Sequence, residues 1–315
     1  MKADTRVEQL MRPAVVVMLV LGVAGAVPAQ GQRGTFRASV DLVTLSATVT
    51  GPNGRYISDL DAADFIVLED GRKQDISFFE RAKSPLAVSL LIDSSGSMSR
   101  EMPMARHAAS EFVARLRPGD LAAIVDFDRR VQVLQPFTDD RAALERAIER
   151  MVARGTTSMF NAIYIALRDH SALPKPAGDE IRRDVIVVLS DGDDTSSLVT
   201  HDQLLDGAKR SPTVIYAIGL GIGDPRTRRG PTPPEYALRS LAYETGGRLF
   251  LPKNADALSG IYNDIADELA SQYVLGYVST NTSPRSGWRT LSVRVSRAGL
   301  HARSRPGYYA AARPQ

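Results

Sequence analysis

The sequence predicts an α/β protein: a doubly wound, mostly parallel sheet inserted between two β-rich flanks that pair as a small β-sandwich. Three observations carry that reading. Four continuous apolar runs, "LAVSLLI" (86–92), "LAAIVDF" (121–127), "DVIVVLS" (184–190) and "TVIYAIGL" (213–220), lack the alternation of a half-wet strand and suit strands buried on both faces. Helical patterns separate them, and strand alternating with helix means a parallel sheet wrapped by helices. On either side of this stretch the rhythm is period two, the signature of half-buried strands.

The first 29 residues read as a targeting signal. Lys2, Arg6 and Arg12 give a basic start, "AVVVMLVLGVAGA" supplies about 13 apolar residues, and small residues at Val27 and Ala29 place a cut before Gln30. The run is shorter than the ~20 residues of a spanning helix, so export as a secreted or periplasmic protein without a membrane span is expected, rather than an uncleaved anchor. A lipoprotein anchor would need cysteine, and the chain has none. Zero Cys also excludes disulfides, thiolate metal sites and cysteine nucleophiles.

The N-terminal β flank is expected over 34–82. Val43, Leu45, Ala47 and Val49 alternate with Thr44, Ser46, Thr48 and Thr50, "GPNG" turns the chain, and "FIVLEDGRKQDISFF" reads as two strands around an Asp70-Gly71 turn. The α/β domain follows over 84–272. Its helices are expected in "MARHAASEFVARL", "RAALERAIERMVA", "MFNAIYIALRDH", "EYALRSLAYETGG" and residues 255–271, where Leu258, Ile261, Tyr262, Ile265 and Leu269 form one stripe. In the C-terminal flank, 273–310, Leu291, Val293 and Val295 face one way and Ser292 and Arg294 the other. Each flank has roughly 45 residues or fewer, close to the size below which a domain rarely holds together alone, which is why the two are expected to pair.

Function is sought at the carboxyl ends of the buried strands, where open parallel sheets bind ligands. "DSSGSM" brings Asp93, Ser95 and Ser97 there, "RGTTSMFNAI" brings Thr157, and "LSDG" brings Asp191. Hydroxyls and carboxylates without nitrogen or sulfur suit a hard divalent cation. Other acidic residues fit plainer roles. Asp126 and Asp128 read as strand-end turn residues, and Asp139 and Asp140 as a helix start. Asp193 and Asp194 lack the glycine placement and closing glutamate of a calcium loop.

At these residues the chain resembles the von Willebrand factor type A domain with a metal-ion-dependent adhesion site. "DSSGS" is similar to the family's D-x-S-x-S, Thr157 to the threonine of its "GGT" loop, with Thr156 in place of the second glycine, and Asp191 to the aspartate of its "T/S-D-G". The flanks, "VDLVTLSATVTGPNGRYISDLDAADFIVLEDGRKQDISFF" and "YVLGYV" through "RPGYY", resemble the exported VWFA-related Acidobacterial domain family. The resemblance implies that Ser95, Ser97 and Thr157 touch Mg²⁺ (or Mn²⁺ or Ca²⁺), with Asp93 and Asp191 close by or acting through water. An exposed Glu or Asp of a partner protein would complete the coordination, in adhesion or assembly.

Arg226, Arg228 and Arg229, in "GIGDPRTRRGPTPPEY", are expected to rim the same face and favour an acidic partner segment. Enzyme chemistry is not expected. There is no G-x-S-x-G elbow, P-loop or HExxH. His107 and His170 fall in helical patterns, and His201 and His301 look like surface positions. A Mg²⁺-dependent hydrolase or phosphotransferase, or a scaffold with an idle metal site, stand as alternatives. The net charge of +3 falls to +2 once residues 1–29 are removed, which makes no electrostatic case for nucleic acid.

Overall fold

The computed structural model describes residues 42–81, 84–176, 180–222, 231–281, 283 and 287–310. The segment expected as a signal therefore lies outside the described residues, as do Arg226, Arg228 and Arg229.

Four strands precede the α/β unit: β1 (Leu42–Thr50), β2 (Phe65–Glu69), β3 (Arg72–Gln74) and β4 (Ile76–Arg81). The unit runs β5 (Leu86–Asp93), α1 (Met102–Ala114), β6 (Leu121–Phe127), β7 (Val131–Thr138), α2 (Arg141–Glu149), α3 (Met159–Ala172), β8 (Arg183–Ser190), α4 (His201–Arg210), β9 (Val214–Gly219), α5 (Pro233–Thr245), β10 (Leu249–Phe250) and α6 (Leu258–Ser271). The chain then adds β11 (Tyr273–Val278), β12 (Gly287–Val295), β13 (His301–Arg303) and β14 (Gly307–Ala310).

The central sheet has strand order β10-β9-β8-β5-β6-β7, parallel throughout except for the edge strand β7. Every residue of β5 is buried, as its unbroken apolar run requires. Val88, Leu90 and Ile92 enter one layer with α1, α2 and α6, while Leu91 enters the other with α3, α4 and α5. α5 stops as its double glycine predicts: Gly246 takes φ 83° at the C-cap, where a Cβ would also meet the backbone of Arg305 at 2.6 Å.

The flanks pair as expected. One four-stranded sheet runs β13-β1-β11-β4 and a second runs β14-β12-β2-β3, so each mixes strands from before and after the α/β unit. Leu45, Ala47, Val49, Phe65, Val67, Tyr273, Leu275, Tyr277 and Leu291 share the core between them. Asp70 (φ 48°) and Gly71 (φ 78°) both take left-handed backbone, the signature of the hairpin turn that joins β2 to β3. The stretch read as two strands holds three. After Gln74 the chain crosses to the other sheet, where β4 pairs with β11. Alternation cannot reveal this, because the period of two continues through the crossing.

The α/β unit leaves and rejoins the sandwich through neighbouring antiparallel strands, with Arg81 opposite Tyr273. A buried carboxylate seals the junction. Glu268 of α6 accepts from Thr48 Oγ1 (3.1 Å) and Tyr56 OH (3.2 Å), and is also bonded by Tyr216 and Arg303.

The edge strand β7, the short strands β13 and β14, and α4 lacked a sequence expectation of their own. The last is announced by a capping box, in which Thr200 Oγ1 accepts from Gln203 N and Gln203 Oε1 accepts from Thr200 N (3.0 Å). No helix among the described residues is long and apolar enough to cross a membrane.

Candidate metal centre

Strand order reverses between β5 and β8, because the chain leaves β5 for β6 on one side and returns to β8 on the other. Such a switch point opens a crevice at the carboxyl ends of the two strands. Asp93 is the last residue of β5, and Asp191 follows Ser190, the last of β8.

The residues beyond β5 form a tight 3₁₀ turn, Gly96–Ser99, pinned by the fully buried Met98. Within it Ser95 N donates to Asp93 Oδ1 (2.8 Å), and Ser95 Oγ lies 3.0 Å from Ser97 Oγ. Ser97 Oγ in turn donates to Asp191 Oδ1 (2.9 Å). Four of the five expected residues thus form one hydrogen-bonded chain, from a fully buried Asp93 to an exposed Ser97.

Thr157 reaches the same rim through its backbone rather than through a contact with those four. Gly96 N donates to Gly155 O (3.0 Å), and Arg154 N to Ser94 O (2.5 Å), so the Thr157 loop is laced to the "DSSGS" turn. On its other side Thr157 O accepts from Thr195 N and Ser196 N, both at 3.0 Å. The Thr157 hydroxyl has no hydrogen-bond partner among the described residues. Thr156 is tolerated because the left-handed backbone falls on Gly155 (φ 75°), and its hydroxyl bonds Ser196 (2.6 Å).

Burial pushes the Asp93 carboxyl up to about 6, against the hydrogen bonds from Ser190 and Ser95 that hold it down; the nearby Asp191 charge adds to the rise. Asp191 is raised as well, by burial, despite the bond from Ser97. Neither carboxylate makes an ion pair among the described residues, so the two acidic groups stand at one rim without a described cation paired to either. No three His, Cys, Asp or Glu side chains among the described residues gather as a metal cluster; any ion held here would rely on hydroxyls beside the two carboxylates. That donor set fits a hard cation.

Other expectations divide. Asp140 caps α2 by accepting from Ala143 N (3.1 Å), and Asp128 is a turn residue accepting from Arg130 N (2.7 Å). Asp126 is not a turn residue. It belongs to β6, pairs with Gln132 of β7, and is buried, with Oδ1 lacking a partner among the described residues. Asp194 caps α3 from a distant loop, accepting from Phe160 N and Ser197 Oγ, both at 2.6 Å. His201 is not a plain surface residue: it opens α4, and its Nε2 lies 2.8 Å from Ser240 Oγ.

Sequence reasoning overlooked Ser190, which donates to Asp93 Oδ2 (2.6 Å). Its signal was present as the residue before Asp191 in "LSDG".

Residues 88–193 match the family model of the von Willebrand factor type A domain. The α/β unit has the von Willebrand factor type A fold. A solved structure, the von Willebrand factor type A protein from Catenulispora acidiphila, superposes with a TM-score of 0.50 at 14% identity, over 87% of this chain and 74% of that one.

The chain is also 26% identical to a "UPF0353 protein" of Mycolicibacterium paratuberculosis (strain ATCC BAA-968 / K-10), over 65% of its own length and 66% of the relative's. A "UPF0353 protein" of Nocardia farcinica (strain IFM 10152) is 23% identical over 68% of each. The chain thus spans about two thirds of the length of the curated relatives it matches. The family match ends at Asp193, just past Asp191.

Proposed function

We propose that the type A domain captures an acidic side chain of a partner protein through a divalent cation held by Asp93, Ser95, Ser97, Thr157 and Asp191. The observation that carries this reading is the convergence, at the switch point, of two carboxylates that make no ion pair among the described residues and a chain of hydroxyls that opens to solvent at Ser97.

Mg²⁺ is the expected ion, with Mn²⁺ or Ca²⁺ able to take its place. When bound, it supplies Lewis acidity for an outside carboxylate, because Mg²⁺ is ordinarily held by one or two protein carboxylates and keeps positions for other oxygens. The chain's own part is to hold the donors in place. Ser190 and the Ser95 amide orient Asp93, Ser97 orients Asp191, and the Gly96–Gly155 bond sets the Thr157 loop against the turn. Type A domains are mostly protein-interaction modules rather than enzymes, which agrees with a site built to share an ion. Export after cleavage before Gln30, and kinship of the flanks with the exported Acidobacterial family, belong to the same reading.

Calorimetric titration of the full chain with Mg²⁺ and Mn²⁺, beside Asp93→Ala, tests it. One-to-one binding that is lost in the variant is expected, as is capture of a glutamate-rich peptide that EDTA abolishes. A folded protein that binds neither ion, even with the peptide present, would overturn the reading.

A further inference from the structure

We infer that a cavity beside the metal centre receives a basic side chain, Lys or Arg, from the same partner segment whose carboxylate reaches the ion; the inference rests on the reading above and names the partner's chemistry. The cavity has a volume of about 330 Å³, and Met159, Phe160, His201, Tyr236, Asp193 and Asp194 are among its walls. It adjoins the site on two sides. Asp193 follows Asp191 by two residues and Met159 follows Thr157 by two, a backbone reach of no more than about 7 Å in each case.

Its lining pairs rings with carboxylates. Phe160 and His201 have centroids 5.9 Å apart, and His201 and Tyr236 5.7 Å, so the three rings form a continuous wall. The middle ring is held in place. Ser240 Oγ donates to Ala237 O (2.9 Å), leaving its lone pairs to accept from His201 Nε2–H. Asp194 is engaged in capping α3 and fixes one end. Asp193 is exposed and has no hydrogen-bond partner among the described residues. The described lining contains no Lys or Arg.

A long basic side chain matches this arrangement in all its parts. Its methylene stem covers ring surface, its charge can sit within about 6 Å of a ring face, and its head meets Asp193. An acidic side chain would be repelled, and a purely apolar one would strip water from Asp193 without replacing it. Side chains on one side of an extended segment recur every two residues, about 6.8 Å, so the partner's basic residue is expected two positions from its acidic one.

The test uses fluorescently labelled Gly/Ser peptides and the full chain in saturating Mg²⁺. One peptide carries Asp alone, one Asp with Lys two residues away, and one Asp with norleucine in that place. The lysine peptide is expected to bind about tenfold tighter than the other two. Asp193→Asn and Tyr236→Ala are each expected to erase that advantage, while the Asp-only peptide and the Mg²⁺ titration stay as in the parent. Equal binding by the lysine and norleucine peptides, or no gain over Asp alone, overturns the inference while metal-dependent capture stands. If Mg²⁺ binds but no peptide does, partner capture fails and this inference with it. A lysine advantage that survives EDTA and still needs Asp193 supports the cavity assignment while removing the ion from the account.

Discussion

Ser190 Oγ donates to Asp93 Oδ2 across 2.6 Å, joining the carboxyl ends of β8 and β5 through side chains 97 positions apart. Both residues are fully buried, and the bond aims one oxygen of Asp93 while the Ser95 amide takes the other. Removing an outer partner of this kind costs about 10–100-fold in metal affinity. Ser190→Ala is therefore expected to weaken Mg²⁺ binding by about that factor with the fold intact. Calorimetry beside a circular dichroism spectrum checks it, and unchanged affinity would show that Asp93 needs no such support.

The loop bearing Thr157 depends on one glycine. Gly155 has φ 75°, and a Cβ there would lie 3.3 Å from Asp128 Oδ2. Gly155→Ala should cost about 1 kcal/mol through the left-handed backbone alone. It should also loosen the Gly96–Gly155 bond and with it the proposed metal site. Thr156→Gly, which gives up only a surface bond to Ser196, should leave both nearly unchanged. Thermal melts and Mg²⁺ titrations of the pair separate the two cases.

At the junction of sandwich and α/β unit, Glu268 gathers bonds from Thr48, Tyr56, Tyr216 and Arg303. Glu268→Ala leaves the Arg303 guanidinium without its carboxylate and several hydroxyls unpaired, at a cost of about 3 kcal/mol. Urea denaturation should show the loss, and Thr48→Val should show about 1 kcal/mol. A loss under half a kcal/mol for Glu268→Ala would mean the junction relaxes and admits water.

Inside the sandwich, Glu69 is buried, which pushes its carboxyl up. Bonds from Ser279 (2.6 Å), Tyr277 (2.7 Å), Arg289 (2.8 Å) and Tyr308 (3.0 Å) outweigh that and hold it below the ordinary carboxylate range. A depressed carboxyl stabilises the fold at any pH above its unfolded value, about 4.3. That contribution is lost as pH falls from there through the folded value. Glu69→Gln should lower stability at pH 7 and flatten its fall between pH 5 and 3 in acid-titrated urea melts. An unaltered acid limb would assign the fall to other carboxylates.

Much of this was legible in the chain. The unbroken apolar runs became β5, β6, β8 and β9, and the Asp70-Gly71 and Gly246 turns took the backbone their residues permit. That Asp93, Ser95, Ser97 and Asp191 gather at one rim was readable because the strands before them are apolar on both faces and end abruptly in polar residues. Glu268 was not. It sits three residues after Ile265 on the buried stripe of α6, and only Thr48 and Arg303, more than 200 positions earlier and 35 later, explain a charge there. Asp126 likewise looked like a turn residue because a charge near the end of an apolar run ordinarily marks the strand's exit, and only its pairing with Gln132 of the edge strand β7 keeps it within the sheet.

The sequence by itself determined which segments become strand or helix and which oxygen donors stand at strand ends, because periodicity and turn chemistry act between residues close in the chain. Only the tertiary structure decided how the strands of the two flanks interleave in two sheets, that Ser190 orients Asp93, and that Phe160, His201 and Tyr236 wall a cavity together with Asp193 and Asp194. Those relationships join segments tens to hundreds of residues apart. They are set by strand order and helix packing, which no local pattern encodes.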